Sequence, residues 1–520
     1  MRKFRIIPQP ARIYLEKGYF IIDSNTTISI NSELTTLASY MQKLLNLAIG
    51  LNLKVNISNN KKEINNSILL EIINNNNILG SEGYLLKISN YNIKISAPTI
   101  KGIFYGIQTL RQLIPLEFKA SKKKEIKWMI PCVKVEDYPR FNWRGFMLDE
   151  SRFFFGKDVV KKILDVMAYF KLNVFHWHLT DDQGWRLEIK KYPRLTEIGS
   201  IRKSARLKML GGKAKRSSSK GFTYSGHYSQ EDIKEIINYA NDRQILIVPE
   251  IDLPGHVVAA LAAYPELSCT GGPFEVSTQF LIHKDVLCIG KEKVFEFVQD
   301  ILKEVMRLFP SDLIHIGGDE VPIDRWKECT NCQKRIRVEK LENERDLQKY
   351  FTNRIVNFLN KQKKRSIIWN DILYKDLDID VLCQYWFGDL EEIIKHIKEN
   401  RKIIMSNNEI LYLYQAYNNV PLKEVYEFEP IPNLLEKRFH GNVIGLEACM
   451  WTEVVTDSKL LEYLLFPRLF AVAESGWTFK KNKNYRDFKD RLINIETRLN
   501  EFDINFAHLN EIEKYDLNKI

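Results

Sequence analysis

From Pro139 onward the chain alternates short apolar runs with amphipathic stretches, and this alternation limits the fold more than any other feature. The apolar runs are Trp143–Leu148, Leu172–Leu179, Ile245–Ile251, Leu313–Gly317, Ser366–Trp369, Val381–Trp386, Lys402–Ser406 and Val443–Met450. Each has the length and content of a strand buried on both faces. Between them, Lys157–Phe170, Gln230–Arg243, Lys291–Phe309, Glu344–Gln362 and Leu390–Glu399 carry apolar residues at helical spacing. Eight strands, nearly all followed by a helix, predict an α/β protein with a parallel (β/α)8 TIM barrel over residues 139–520. An open doubly wound sheet is the alternative, but no Gly-x-Gly-x-x-Gly follows the first run.

Residues 1–138 have a different texture and predict a small α/β domain of structural role. Tyr19–Ile30 and Tyr84–Ile95 alternate like strands, and Ile103, Ile107, Leu110 and Ile114 line one face of a helix. A charged connector, Ser121 to Lys127, precedes the boundary near Asp137–Arg140.

Composition excludes several classes. The net charge is +11 over 520 residues, yet it is spread along the chain. The most basic run, Lys208 to Lys220 within the Arg206–Lys220 insertion, is rich in Gly and Ser and has no interleaved aromatics, so no nucleic-acid partner is expected. No apolar run approaches the ~18 residues of a membrane span. The opening Met-Arg-Lys-Phe-Arg is basic but lacks an apolar core after it, so as written it is no signal peptide. The chain reads as cytoplasmic, or as periplasmic or secreted if its start is incomplete. Seven cysteines are scattered. Cys329 and Cys332 form a Cys-x-x-Cys without a second pair at zinc-finger spacing, and Cys269 and Cys288 are candidates for a disulfide in an oxidising compartment.

Barrel enzymes place their chemistry at the C-terminal ends of the strands. The fourth run ends in Gly-Gly-Asp-Glu, so a flexible bend delivers the adjacent acids Asp319 and Glu320. Two acids together are costly unless one stays protonated, which is the state a general acid needs. Around them the other strand ends supply Arg144, Asp149, His176, His178, Asp181, Asp182, Glu250, Asp252 and His256 from the first half of the barrel. The second half supplies Trp369, Asp371, Trp386, Tyr412, Trp451 and Glu453. A titratable wall facing an aromatic one suits a carbohydrate, whose C–H face stacks on indoles while acids and Arg hold its hydroxyls.

At these residues the chain resembles glycoside hydrolase family 20, the β-N-acetylhexosaminidases. The matching blocks are Pro-Arg-Phe-Asn-Trp-Arg-Gly (139–145), Phe-His-Trp-His-Leu-Thr-Asp-Asp-Gln-Gly-Trp-Arg (175–186) and Pro-Glu-Ile-Asp-Leu-Pro-Gly-His (249–256). His-Ile-Gly-Gly-Asp-Glu (315–320), Trp-Thr-Glu (451–453) and the helix-packing run 466–477 follow in order. The resemblance implies a retaining exo-hydrolase that removes terminal GlcNAc or GalNAc by substrate-assisted catalysis, with no cofactor and no metal. It assigns Glu320 as general acid and Asp319 as partner of the acetamido N–H. Tyr412 would donate to the acetamido oxygen, and Trp369, Trp386 and Trp451 would wall the methyl group. Arg144 and Glu453 would grip the ring hydroxyls. His256 and Asp181 (or Asp182) would set the protonation of Glu320, while Asp252, His176 and His178 are expected to be structural. Two positions depart from the family pattern. Tyr414 stands where many members carry Asp, and Asn370–Asp371 replaces a common Asp-Glu. A lacto-N-biosidase-like glycosidase and a non-catalytic glycan-binding barrel are the alternatives.

Overall fold

The computed structural model describes residues 4–57, 65–74, 77–115, 128–204, 208–209, 223–499 and 502–516. Its centre is a closed, all-parallel barrel of eight strands. In chain order these are β1 (Trp143–Asp149), β2 (Val174–His178), β3 (Leu246–Glu250), β4 (Leu313–His315), β5 (Arg365–Trp369), β6 (Leu382–Tyr385), β7 (Ile403–Met405) and β8 (Val443–Met450). Closure comes from β8 pairing with β1, with Gly445 opposite Trp143 and Met450 opposite Leu148. The open-sheet alternative is thereby excluded. The outer helices are α1 (Lys157–Tyr169), α2 (Gln230–Asn241), α3 (Glu292–Leu308), α4 (Glu344–Lys361), α5 (Leu390–Lys398), α6 (Leu422–Glu427), α7 (Ser458–Leu465) and α8 (Arg468–Trp477). Between β5 and β6 no α-helix forms, and the connecting loop holds one short 3-10 turn, Asn370–Ile372.

The barrel interior is layered. Its floor is apolar, built from Trp143, Val174, Val248, Ile367, Leu382 and Ile404. Because strand side chains alternate, the residues two positions further on share that interior. Apart from Gly145 and Trp369 they are polar: His176, Glu250, Gln384 and Ser406 form the next storey. Glu250 has His178 Nδ1 at 2.5 Å, His176 Nε2 at 3.0 Å and His315 Nδ1 at 3.0 Å, and it accepts from Trp369 Nε1 at 2.8 Å. Glu447 lies 2.8 Å from His176 Nδ1 and accepts from Trp143 Nε1 at 2.9 Å. Burial alone would keep Glu250 protonated, but the imidazoles outweigh it and hold its carboxyl well below the usual range. His176 and His178 are therefore internal supports, as expected.

Before the barrel lies a seven-stranded mixed sheet. The spatial order is Arg12–Ile22, Trp128–Asp137, Tyr84–Ile88, Asn92–Ala97, Ser67–Ile72, Thr27–Ile30 and Lys54–Ile57. The helix Ile100–Leu113 buries Ile103, Ile107 and Leu110 against it. Each of the two expected strands is really a pair. Asp23 accepts from Asn25 N–H and turns the chain after Ile22, and Ser89–Asn92 bonds turn it after Ile88. The expected connector Ser121 to Lys127 lies outside the described residues. Buried polar bonds join sheet and barrel: Asp137 accepts from Lys171 Nζ at 2.8 Å and from Trp477 Nε1 at 2.9 Å. Among the described residues, no helix is long and apolar enough to cross a membrane.

Candidate active site

The site is built outward from the end of β4. Gly317 and Gly318 both have positive φ, +62° and +102°. A Cβ on Gly317 would lie 1.7 Å from Asp252 Oδ1, and one on Gly318 would lie 2.3 Å from Ile372 Cδ1. Only glycines fit this bend, which packs Asp319 beneath the mouth and turns Glu320 outward. Glu320 is itself left-handed, at φ +47°, a conformation that costs about 1–3 kcal/mol and gathers at functional sites. Asp319 is buried, whereas the Glu320 side chain is about one-third exposed, 35%. Burial first, and then the carboxylate of Asp252, push Asp319 well above the usual carboxyl range. Burial also raises Glu320, with Asp371 adding to the rise and His256 opposing it. Asp252 is pushed up to about 7 by burial.

His256 connects these acids to β2. Its Nε2 is 3.6 Å from Glu320 Oε2 and 3.9 Å from Asp319 Oδ2. Its Nδ1 is 3.2 Å from Asp181 Oδ1 and 3.3 Å from Asp182 Oδ2. Burial pulls the imidazole pKa down, but Asp181 overcomes this and holds it well above normal. Asp182 is also engaged by the Val258 N–H at 3.0 Å, while Asp181 takes His178 at 3.0 Å and Arg152 at 2.7 Å.

Opposite stands the aromatic wall. Trp369 and Trp451 have centroids 5.9 Å apart, Tyr412 and Trp451 6.0 Å, and Trp386 lies nearly parallel to Tyr412 at 6.2 Å. Tyr412 is fixed to β8 by Leu413 N–H donating to Cys449 O and Cys449 N–H donating to Leu411 O. One acid ties the two walls together. Asp371 accepts from Glu320 N–H at 3.3 Å and from Trp386 Nε1 at 2.7 Å. Asp319 Oδ1, His256 Nε2 and Trp451 Nε1 are three of several buried atoms that have no hydrogen-bond partner among the described residues. Such atoms cost about 1–3 kcal/mol each in a folded chain, and here all three belong to this one cleft.

At the third side, Arg152 lies above the ring of Trp451 at 5.1 Å. Its Nη1 is 3.3 Å from Asp149 Oδ2 and 3.7 Å from Glu453 Oε1. Burial pushes Glu453 up to about 7 against the pull of Arg152.

Comparison with known proteins agrees with this architecture. The profile of the glycosyl hydrolase family 20 catalytic domain matches residues 141–480, and that of the family's domain 2 matches residues 3–138. The chain belongs to glycosyl hydrolase family 20. It is 39% identical to a beta-hexosaminidase of Porphyromonas gingivalis over 514 residues, covering 96% of this chain but 64% of that one. It is 31% identical to a beta-hexosaminidase of Akkermansia muciniphila, covering 80% of this chain and 83% of that one. Two solved structures are similar over nearly the whole chain. One is the exo-β-N-acetylglucosaminidase of Vibrio harveyi with N-acetylglucosamine (TM-score 0.84, 28% identity, 97% of this chain and 78% of that one). The other is the β-N-acetylhexosaminidase of Bacteroides fragilis (TM-score 0.81, 30% identity, 99% of each).

Within this family-20 barrel, most of the expected residues converge: Asp319, Glu320, His256, Asp181, Trp369, Trp386, Tyr412, Trp451 and Glu453 share one mouth. Arg144 does not. It is the second residue of β1, about 16 Å of strand below the mouth-end Asp149, and its side chain is fully buried at the domain boundary. There it donates to Glu82 Oε2 at 2.7 Å, Lys171 O at 2.8 Å and Tyr105 OH at 3.2 Å. Arg152, three residues past the end of β1, takes the place expected of it. Position along the strand is the signal that finds it, since only residues at or beyond the strand's last position reach the mouth. Asp371, expected among the strand-end groups and as a departure from the family pattern, joins the acid and aromatic walls. Tyr414 packs beside Tyr412 at 6.3 Å. The Arg206–Lys220 insertion lies outside the described residues except for Lys208–Met209, which pairs with Gln279–Phe280.

Proposed function

We propose that this family-20 enzyme is an exo-acting, retaining β-N-acetylhexosaminidase that uses the substrate's own acetamide as nucleophile. The single observation that carries the reading is the Asp371 bridge, which fixes a raised-pKa acid, Glu320, at the rim of a tryptophan-lined hollow. In the first step the 2-acetamido oxygen attacks C1 and the bond from C1 to the leaving oxygen breaks. Glu320 gives that oxygen its proton. In the second, the Glu320 carboxylate takes a proton from water, and the water oxygen opens the oxazolinium ring at C1. Two inversions leave the anomeric configuration retained.

Asp319 accepts from the acetamido N–H, and Tyr412 donates to the acetamido oxygen. Trp369, Trp386 and Trp451 enclose the methyl group, which keeps the arm folded beneath the ring. Arg152 and Glu453 hold ring hydroxyls, with the planar guanidinium matching a diol. Tyr414 replaces an acid near the hydroxymethyl end, so measuring β-GlcNAc against β-GalNAc substrates tests what that end accepts. The test of the enzymatic reading is hydrolysis of a chromogenic β-GlcNAc glycoside by wild type and Glu320→Gln. A loss of ~10²–10⁴-fold is expected for removal of a general acid. Equal rates for the two proteins, or no hydrolysis by wild type, would reject it and leave the glycan-binding barrel.

A further inference from the structure

Four cysteines far apart in the chain meet in the loops that follow β3 and β4. Cys288 Sγ is 3.6 Å from Cys329 Sγ and 3.6 Å from Cys332 Sγ, and Cys269 Sγ is 3.8 Å from Cys332 Sγ. All four sulfurs lie within 4.8 Å of one another. None of them is in a disulfide. Four thiolates each about 2.3 Å from one zinc ion, arranged as a tetrahedron, stand about 3.8 Å from each other. A disulfide needs ~2.05 Å, and an iron–sulfur cluster interposes its own atoms and spreads the sulfurs further apart.

The surroundings form a built site. Ser268 and Leu287 make an antiparallel bridge, and Cys288 N–H donates to Leu267 O at 2.9 Å, which sets Cys269 beside Cys288. The other pair is a Cys-x-x-Cys placed where the helix Thr330–Val338 begins. Trp326, fully buried, donates its Nε1 to Leu287 O at 2.9 Å and locks the two loops together. Gly290 touches the second pair so closely that a Cβ there would lie 2.4 Å from Cys332 N. Cys288, Cys329 and Cys332 are buried, and Cys269 is partly exposed, giving the cluster one side open to solvent. Lys291, which donates to Ser268 O at 2.6 Å beside Cys269, supplies positive charge close by. Such charge offsets the net negative charge of a zinc tetrathiolate.

We infer that Cys269, Cys288, Cys329 and Cys332 bind one structural zinc ion that clips the β3 loop to the β4 loop. All four positions are taken by protein, so the site has no open coordination and takes no part in the chemistry. Its effect is positional, since the two clipped loops carry His256 and Glu320 near their starts. A zinc ion here departs from the expectation of no metal, while the reading that no second pair stands at zinc-finger spacing still holds. Spacings of 18, 40 and 2 intervening residues resemble no contiguous finger, and the Ser268–Leu287 bridge and the Trp326–Leu287 bond make them one site.

The test is metal analysis of the full chain, produced with zinc in the medium and purified without a metal-affinity column. One zinc per chain is expected, released to a colorimetric chelator in step with mercurial modification of the thiols. Cobalt in its place should give the visible bands of a tetrahedral thiolate complex. Cys269→Ser changes the most exposed ligand, and this variant should still fold but lose zinc to a chelator that leaves wild type loaded. Substoichiometric zinc in wild type, iron in its place, or a mass showing two disulfides would overturn the assignment.

Discussion

His256 presents Nε2 to Glu320 Oε2 at 3.6 Å. The ring is held from behind by Asp181, so a buried cation stands beside the acid and favours its ionised form, while Asp371 on the other side disfavours it. The pKa of Glu320 is therefore a balance between two neighbours of opposite sign, on top of the upward push of burial.

Each neighbour can be removed by itself. In His256→Gln the carboxylate loses its cation, Glu320 holds its proton to higher pH, and the alkaline limb of the kcat/KM profile should move up. In Asp371→Asn the repulsion is lost while one of the two acceptor oxygens is kept, the other becoming an NH2 that cannot accept, so the same limb should move down. The pH profile of kcat/KM reports the free enzyme and reads both shifts. Shifts in the same direction would contradict the balance.

Two arginines eight positions apart should fail in different ways. Arg152→Lys should raise KM for a β-N-acetylglucosaminide with little change in stability, because the ammonium keeps charge near Asp149 and Asp181 but loses the fork. Arg144→Met leaves Glu82 buried without its cation and should cost about 3–5 kcal/mol, read as a lower urea midpoint with KM unchanged. The reverse pattern would return Arg144 to the substrate.

The polar storey inside the barrel makes stability depend on alkaline pH. Burial lowers His176, but Glu447 and Glu250 carry it up to about 9, against an unfolded value near 6.5. The folded chain binds more protons across that window, so stability falls as pH rises. The contribution is whole below about pH 6.5 and lost through about pH 9, an amount of about 3 kcal/mol. Urea midpoints measured from pH 6.5 to 9.5 should fall, and Glu447→Gln should flatten the slope.

Much of this was legible in the residues. All eight barrel strands fall within two residues of their apolar runs, because strands buried on both faces stay mostly apolar between polar loops, with only a few paired polar residues inside. The acids and tryptophans followed from strand direction alone. Arg144 misled because its block is an arginine near a strand, and a block does not say which end of the strand is the mouth. In the first domain, Tyr19–Ile30 and Tyr84–Ile95 hid their turns, since Asp23 and Ser89 bend the chain through side-chain bonds inside an alternating pattern. The cysteine cluster was not legible, because Cys269 and Cys288 meet each other and the Cys329–Cys332 pair only through a bridge and a packed tryptophan. Asp371 looked like a loss relative to the family pattern until its two hydrogen bonds were seen.

The central claim is that the substrate's amide, not an enzyme carboxylate, attacks the anomeric carbon. A well-placed intramolecular nucleophile is worth an effective molarity of ~10⁵–10⁸ M. The most direct measurement is kcat/KM of the wild-type chain for an aryl β-N-acetylglucosaminide and for the aryl β-glucoside with the same leaving group. The account predicts that the glucoside is slower by at least ~10³-fold even where it binds. Comparable turnover of the two would contradict it.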